Sequence, residues 1–370
     1  MVNMKEHYQK MRDFYAHKPG ARIYQREFGF FTLDRWKAEG YIQDDTDLAA
    51  LFGFDPEAKV YLGGLGWCEP EFCPWFEEKL LEDRGEYELV QDFAGRGVLY
   101  FKGRRNGFMP EYVTSPVTDW DSWERNCKWR MDPNTPERYK DLEARMEEAA
   151  KLASEGALIC QNLVGGYMYL RSLMGPEQLL YMFYDDPGLI HECMKTWFTL
   201  ADTVTARRQQ YITFDELFFG EDICYNNGPL ISPDMMREFL LPYYQQLIAN
   251  VKKRQKDKDR KLHIQIDTDG RCTDVIEIYQ SIGMDALSPL EVASGCDVVA
   301  IREKYPDLLL SGGFDKRILA ESKEAIDREV DRIMPAMAKS GGYLPTCDHG
   351  VPEEVPFENY MHYRKRMLEF

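Results

Sequence analysis

The second half of the chain carries a set of reactive side chains that lie inside or directly after short apolar segments. They are carboxylates, two of the six histidines and one cysteine, at Glu221, Asp222, His263, Asp267, Asp269, Glu291, Asp315, Cys347, Asp348 and His349. Carboxylates grouped with histidine and cysteine suit proton transfer or the binding of a metal ion such as zinc. We therefore expect acid–base or metal chemistry from this half of the chain.

The strongest of these signals is the run Cys347-Asp348-His349, which places three reactive side chains in a row after an apolar segment. Asp267-Thr268-Asp269-Gly270 begins like a calcium-binding loop, but the glutamate that should end such a loop is missing. A turn between a strand and a helix, closed by Asx hydrogen bonds, explains the same four residues. His263 lies inside an apolar run, which favours a hydrogen-bonded histidine of the core over a ligand.

The elements that position these residues are short apolar segments alternating with amphipathic helices. Asp186-Pro187 and Ser232-Pro233 each predict a helix N-terminus, and Pro242 predicts a kink in the second of these helices. Strands are predicted at 158–163, 216–222, 262–266, 284–290, 308–310 and 341–345. This alternation, with a repeat of roughly 30 residues, predicts parallel βαβ units and a (β/α)8 TIM barrel, in which reactive side chains cluster at the carboxyl ends of the strands.

The first 150 residues have a different pattern. Residues 87–93 and 98–101 flank the turn Ala-Gly-Arg-Gly and predict a β-hairpin. We interpret residues 1–150 as an N-terminal elaboration of helices and a hairpin, with one barrel strand over 22–30, and residues 151–370 as most of the barrel repeats. The whole chain, 1–370, is then expected to be one domain.

Composition excludes several classes of function. Asp and Glu total 63 against 46 Lys and Arg, giving a net charge of −17, which disfavours binding to nucleic acid or to an anionic membrane. No apolar stretch approaches the roughly 20 residues of a membrane span, and no signal peptide is recognisable. An odd number of cysteines, nine, indicates reduced thiols and a cytoplasmic location.

Several segments together resemble the uroporphyrinogen decarboxylase superfamily. They are Ile231-Ser232-Pro233, the stretches at 283–291, 310–316 and 341–352, and Glu358-Asn359-Tyr360. Their order and spacing cover most of 155–370, and the resemblance implies a (β/α)8 barrel.

The superfamily contains decarboxylases and methyltransferases. The decarboxylases grip a tetrapyrrole with an N-terminal Arg-Gln-Ala-Gly-Arg stretch, whereas this chain offers only the Gly-Arg-Arg-Asn-Gly of 103–107, at a different place. An octa-anionic substrate is also a poor match for strand ends that are mostly acidic. The zinc methyltransferases that act on thiols carry His-x-Cys and a later Cys; His263 and Cys347 match, but the middle position is Gln265.

The branch that this chain resembles most is that of the corrinoid-dependent methyltransferases that act as O-demethylases. The similarity lies in Asp267–Gly270 and in the Asp-His-x-Val-Pro of 348–352. It implies transfer of a methyl group from a methoxylated, possibly aromatic, or similar small donor to the cobalt of a corrinoid. Because the chain lacks an Asp-x-His-x-x-Gly stretch for binding cobalamin, the corrinoid is expected on a separate partner protein. The acidic strand ends favour a neutral or cationic methyl donor.

The resemblance also suggests roles for the reactive residues. Expelling an alkoxide or phenolate needs an acid, and either His349 or Asp267, its pKa raised in a buried acidic cluster, could supply the proton. His349 is the favoured donor, with Asp267 and Asp269 as orienting groups and Glu221 as a substrate or metal contact. We expect substrate contacts from Asp222, Tyr225, Glu291 and Asp315, and a possible zinc site at His263, Cys347 and Glu221. The alternatives are a decarboxylase of the uroporphyrinogen type and a non-catalytic, ligand-binding barrel.

Overall fold

A computed structural model describes residues 4–103 and 111–370 of the protein. Residues 104–107 of the basic stretch discussed above therefore lie outside the described residues. Within the described chain the strands are β1 (Lys59–Tyr61), β2 (Lys79–Arg84), β3 (Tyr87–Gln91), β4 (Gly97–Phe101), β5 (Glu111–Thr114), β6 (Leu158–Val164), β7 (Glu216–Gly220), β8 (Cys224–Tyr225), β9 (Gly228–Pro229), β10 (His263–Asp267), β11 (Ala286–Leu290), β12 (Leu309–Gly312) and β13 (Tyr343–Leu344).

The α-helices of the described chain occur mainly between the strands of the larger sheet. They are α1 (Met4–Tyr15), α2 (Leu33–Ala38), α3 (Leu48–Phe52), α4 (Trp120–Ser122), α5 (Leu142–Glu155), α6 (Gly166–Met174), α7 (Gln178–Asp185), α8 (Pro187–Arg208), α9 (Pro233–Phe239), α10 (Leu241–Arg254), α11 (Ile276–Gln280), α12 (Val298–Lys304), α13 (Lys323–Ser340) and α14 (Phe357–Met367). Among them, none combines the length and the apolar character needed to cross a bilayer.

The larger sheet contains seven strands, in the order β1-β6-β7-β10-β11-β12-β13, and every neighbouring pair is parallel. Its spatial order follows chain order, as right-handed βαβ units require. The sheet curls, and we call it the half-barrel. The predicted strands between 158 and 345 are confirmed, with ends that shift by at most two residues.

The predicted eight-stranded closure is not formed in the described chain. Residues 22–30 form no strand, and Phe30 contributes only a single parallel bridge, to Val351. The first strand of the half-barrel is β1, which sequence reasoning did not predict. A three-residue strand between glycine- and proline-containing segments gives little periodic signal, which explains the omission.

The two faces of the half-barrel differ in chemistry. Because alternate residues of a strand share a face, Leu217 and Phe219 point with Ile264 and Ile266 to the helix layer, where all four are fully buried. On the concave face, Gln265 and Asp267 alternate with these isoleucines and line a cavity. The apolar core thus lies between the sheet and its helices, and the concave face is left polar.

Helix starts follow the sequence signals closely. Asp186 accepts a hydrogen bond from the Leu189 amide at 3.0 Å with Pro187 at the first helical position, and Ser232 caps α9 in the same way. Pro242 does more than kink a helix: the helix ends at Phe239, and a new one begins at Leu241.

The N-terminal region forms a separate antiparallel sheet, in the order β2-β3-β4-β5. The predicted hairpin is confirmed as the β3–β4 pair, in which Leu89 lies opposite Leu99. One continuous apolar cluster nevertheless joins the two halves of the chain, since it includes Trp36 and Phe52 as well as Tyr360 and Tyr363.

Candidate functional site

A cavity of about 300 Å³ lies against the concave face of the half-barrel. Polar side chains line its wall where TIM barrels usually pack branched apolar residues. The lining residues include Arg26, Phe28, Lys59, Tyr61, Trp67, Phe218, Gln265, Asp267, Ser288, Ser311 and Thr346. A polar cavity of this size fits a small ligand, at the lower end of the usual range for ligand pockets.

Asp267 is the acidic residue at the carboxyl end of β10 that lines this cavity. Its carboxylate accepts a hydrogen bond from Ser288 on the neighbouring strand, and Ser288 in turn accepts one from Gln265 at 2.7 Å. Burial raises the pKa of Asp267 to about 7, and the negative charges of Asp222 and Asp269 add to the effect. At neutral pH this carboxyl group can therefore hold a proton and release it.

Asp222 and Asp269 stand beside Asp267. The Asp269 amide donates to Asp222 Oδ1 at 3.3 Å, and Asp222 has a positive φ of 39°, an uncommon backbone conformation for a residue other than glycine. Burial and the nearby charge of Asp269 raise the pKa of Asp222. Three carboxyl groups thus share one end of the half-barrel.

His349 is the histidine that pairs with this acidic group. Its Nε2 lies 3.1 Å from Asp269 Oδ1, and its Nδ1 lies 3.5 Å from Glu291 Oε1. The bond to Asp269 raises the pKa of His349, although partial burial opposes the shift. The ring also packs against Phe28, with the centroids 5.1 Å apart, which brings it next to the cavity.

Backbone amides fix the orientation of two acidic side chains in this cluster. Glu291 Oε2 accepts from the Gly270 amide at 2.6 Å and from Ser294 Oγ at 3.0 Å, which leaves Oε1 facing His349. Asp348 is 1% exposed, accepts from the Val292 amide at 3.0 Å, and pairs with Lys316 at 3.2 Å. Asp348 therefore anchors the loop that carries His349.

Asp269, Glu291 and His349 could hold a metal ion together. One ligand atom from each lies within 4.8 Å of the other two. His349 Nδ1 is buried without a hydrogen-bond partner in the described chain, and Glu291 is already oriented by its second oxygen, as metal ligands usually are. Two carboxylates and one imidazole suit zinc or another divalent ion.

Glu221 is in contact with a helix end and does not line the cavity. It is fully buried, accepts from the Tyr244 hydroxyl at 2.5 Å, and accepts from the Tyr167 amide at 3.2 Å at the start of α6. Burial raises the pKa of Glu221 to about 7. A carboxyl group at this place supports the first turn of α6, since helix N-termini favour negative charge.

The predicted zinc set of His263, Cys347 and Glu221 is not brought together. His263 begins β10 and bonds Asp285 Oδ2 at 2.8 Å, so it lies about 13 Å along the strand from Asp267, at the opposite end of the half-barrel. Cys347 is fully buried, and its amide donates to Glu27 Oε1 at 2.8 Å. Burial raises the pKa of the Cys347 thiol well above its usual range, so the thiol stays protonated and is a poor metal ligand. Cys347 is therefore a residue of the core.

Two other predicted substrate contacts lie outside the cavity wall. Tyr225 belongs to the short β8–β9 hairpin and is 47% exposed. Asp315 pairs with Arg317 at 2.8 Å. Of the predicted residues, the structure brings together the side chains of Asp222, Asp267, Asp269, Glu291 and His349. Glu221 lies next to them, since its amide donates to the Asp267 carbonyl at 2.8 Å, but its side chain is directed to Tyr244 and α6.

Sequence reasoning missed the aromatic wall of the cavity. Trp67 stacks on Phe218 with ring centroids 4.9 Å apart and an angle of 14° between the ring planes. A Cβ atom on residue 220 would lie only 2.8 Å from the Trp67 carbonyl oxygen. The glycine at the end of β7 therefore allows the Trp67 backbone to approach this closely. The glycine-rich run at 63–66, directly before Trp67, is a local signal that could have pointed to this loop.

Comparison with known proteins supports the superfamily resemblance. A sequence model of the family described as "Uroporphyrinogen decarboxylase (URO-D)" matches residues 112–369. Curated uroporphyrinogen decarboxylases align at low identity. That of Legionella pneumophila is 27% identical over 36% of this chain and 36% of its own length, and that of Aromatoleum aromaticum is 25% identical over 73% and 72%. The chain thus spans less than two thirds of some of these relatives.

A solved structure shares the fold over nearly the whole length. A methyltransferase from Methanosarcina mazei superposes with a TM-score of 0.57 at 13% identity and covers 98% of each chain. At that identity the likeness concerns the fold alone. Since the family match extends over more than half of the sequence, the chain belongs to the uroporphyrinogen decarboxylase (URO-D) family.

Proposed function

We propose that this protein is a methyltransferase that moves a methyl group from a small methoxylated molecule to the cobalt of a corrinoid carried by a separate protein. In this reaction the cobalt(I) centre attacks the methyl carbon, the carbon–oxygen bond breaks, and the leaving oxygen takes up a proton. Cobalt(I) is a strong nucleophile, so the protein's main task is to supply that proton.

The observation that carries the proposal is Asp267. It faces the cavity, and its pKa of about 7 provides a protonated carboxylic acid under ordinary conditions. General acids work best when their pKa lies near the operating pH, and such a donor contributes about 10²–10⁴-fold to a rate. We therefore assign proton donation to Asp267, in place of His349, which does not line the cavity.

The cavity also suits a small donor better than a tetrapyrrole. Its volume of about 300 Å³ is at the lower end for ligand sites. Asp267 lines one end of it, and the carboxyl groups of Asp222, Asp269 and Glu291 stand beside Asp267 with the imidazole of His349 among them. A substrate with many carboxylates would be repelled there, which supports a neutral or cationic donor.

Zinc fits the proposal as a second way to help the leaving oxygen. We propose Asp269, Glu291 and His349 as its ligands, because their donor atoms lie within 4.8 Å of one another. When bound, zinc would act as a Lewis acid toward the substrate oxygen. Asp267 would remain the group that holds and moves the proton.

The finer points of fold and location follow the same proposal. We propose that residues 22–30 take the place of an eighth barrel strand, which the Phe30–Val351 bridge supports. We also place the reaction in the cytoplasm, because all nine cysteines are free thiols, as reducing compartments favour.

A spectroscopic assay tests the function. The purified protein is mixed with cobalamin reduced to cobalt(I) and with methoxyaromatics, methylamines or methylated sulfur compounds in turn. We expect a methoxylated compound to convert cobalt(I) to methylcobalt(III) only when the protein is present, as followed by absorbance. No conversion with any of the three classes of donor would contradict the proposal.

Decarboxylation is the second candidate, and the cations of the cavity favour it. Arg26 and Lys59 line the same wall and could bind a substrate carboxylate. Lys59, however, already pairs with Glu216 at 2.9 Å. Release of carbon dioxide from uroporphyrinogen or a small acid, measured with the same preparation, would favour this candidate over methyl transfer.

A further inference from the structure

A second cavity, of about 240 Å³, lies between the small antiparallel sheet and α6. Arg96 and Tyr112 line it from the side of the sheet, and Met168 and Arg171 line it from α6. Asp222 forms part of the wall, so the second cavity lies next to the acidic end of the half-barrel. None of the roles assigned above uses it.

Arg171 brings to this cavity a positive charge that acts on Asp222 but makes no direct ion pair with a carboxylate of the described residues. In the part of the chain that the structure describes it forms no ion pair, and its guanidinium reaches only Met168 Sδ, at 3.8 Å. Residues 104–110, which the structure does not describe, include no acidic residue. A guanidinium group carries five donors, and a partly buried one normally binds a carboxylate or a carbonyl group.

Arg96, on the opposite wall, shows the contrast. Its guanidinium pairs with Asp92 at 2.7 Å and with Glu69 at 2.9 Å, and it lies 4.9 Å from the centroid of the Tyr112 ring. Two carboxylates therefore neutralise Arg96 and fix its position. It can shape the wall of the cavity, but the charge available to a ligand belongs to Arg171.

The other groups of the wall define what a ligand must offer. Tyr112 and Ser115 line the cavity, and neither hydroxyl has a hydrogen-bond partner among the described residues. Met168 and Pro176 add apolar surface. At Gly175, a Cβ would lie 2.7 Å from Ser115 Oγ, so the glycine leaves that hydroxyl accessible.

We propose that this second cavity binds the carboxylate of a small monoanionic acid with a short apolar body. The carboxylate accepts hydrogen bonds from Arg171, Tyr112 and Ser115, and the apolar body packs on Met168. A dianion is disfavoured, because Glu69 and Asp222 also stand in the wall. The proposal does not depend on methyl transfer.

The test is a binding titration by calorimetry, with benzoate as the charged probe and benzamide as its neutral counterpart of the same shape. We expect benzoate to bind with a Kd in about the millimolar range and benzamide to bind at least about tenfold more weakly, as the loss of a charge-assisted hydrogen bond predicts. R171Q should weaken benzoate binding about tenfold or more, and R171K should weaken it less.

R328Q is the matched control. Arg328 is an exposed arginine on α13 that does not line the second cavity, and the substitution removes the same charge. Benzoate binding should be unchanged in R328Q. M168W, which fills the cavity, gives an independent variant if R171Q does not fold, and it should also abolish binding. Equal affinities for benzoate and benzamide, or undiminished benzoate binding in R171Q or M168W, would overturn the proposal.

Discussion

The two ends of the half-barrel hold similar side chains in opposite states. At the carboxyl end, Asp222 and Asp267 have raised pKa values, and the imidazole of His349, whose pKa is also raised, lies against the cluster. At the amino end, the carboxylate of Glu216 is fully matched by Lys59. The acid at the carboxyl end can exchange a proton near neutral pH, whereas the lowered pKa of Glu216 keeps that carboxylate charged.

The amino-end cluster is a closed network of hydrogen bonds. Glu216 accepts from Lys59 at 2.9 and 3.1 Å, from Cys160 Sγ at 3.1 Å, and from the Tyr15 hydroxyl. Burial alone would lower the pKa of Lys59, but Glu216 raises it well above its usual range, so the lysine stays charged. The comparison teaches that residue types do not distinguish a reactive cluster from a structural one; the number of satisfied partners does.

The largest expected effect breaks the comparison at the carboxyl end. D267N removes the proton donor and should lower the rate of methyl transfer by about 10²–10⁴-fold. H263Q is the matched change at the amino end of the same strand and should alter the rate less than about threefold, because His263 bonds only Asp285 and does not line the cavity. Stopped-flow absorbance of the cobalt(I) band measures both, and equal losses in the two variants would refute the division into two ends.

The second prediction breaks the amino end. K59M leaves Glu216 buried without its cation and should lower the free energy of unfolding by about 3–5 kcal/mol. The double variant K59M/E216Q should recover most of the lost unfolding free energy, because it also removes the buried carboxylate that K59M leaves unpaired. Urea denaturation measures the four corners of this cycle, and a double variant no more stable than K59M would contradict the account.

A smaller effect concerns the dependence of stability on pH. Burial raises the pKa of Glu221 from 4.5 to about 7, so its contribution to stability is fully present below about pH 4.5 and is lost as the pH rises through 7. Over that window the wild type should lose at most about 3 kcal/mol of unfolding free energy through Glu221, and E221Q should not show this loss. Unfolding free energies measured from pH 5 to 8 that fall in parallel for E221Q and the wild type would show that Glu221 does not titrate there.

The smallest expected effect concerns metal affinity. H349A should weaken zinc binding by at least about 10–100-fold, because the loss of a residue that merely supports a ligand already has an effect of that size. H263A should leave it unchanged, because His263 lies at the other end of the half-barrel. Metal content after dialysis against a series of zinc concentrations measures the affinity of each variant. Weaker zinc binding in H263A alone would instead support the zinc ligands predicted from the sequence.

Much of the fold could be predicted because its signals are local. Capping residues such as Asp186 and Ser232 fix helix starts, and apolar runs fix the buried strands. The rule that reactive groups meet at the carboxyl ends of parallel strands placed Asp267 and His349 at one end without any coordinates.

What could not be predicted is the position of a residue within its strand and the direction in which its side chain points. His263 and Asp267 share a face of one five-residue strand, yet they lie at opposite ends of it. Cys347 precedes His349 by two residues but packs into the core beside Glu27. The aromatic wall needs Trp67, which precedes Phe218 by about 150 residues, and no local pattern reports such a contact.

The polar concave face has a consequence for how this protein could change. Because Ile264 and Ile266 pack outward against the helix layer, the free energy of folding is drawn mainly from that layer. The cavity-lining positions Ser311 and Thr346, which lie outside the hydrogen bonds of Asp267, contribute little to that packing. Replacing them should retune which molecule the cavity accepts without unfolding the scaffold, which makes the inner wall the natural place for divergence or for engineering a new specificity.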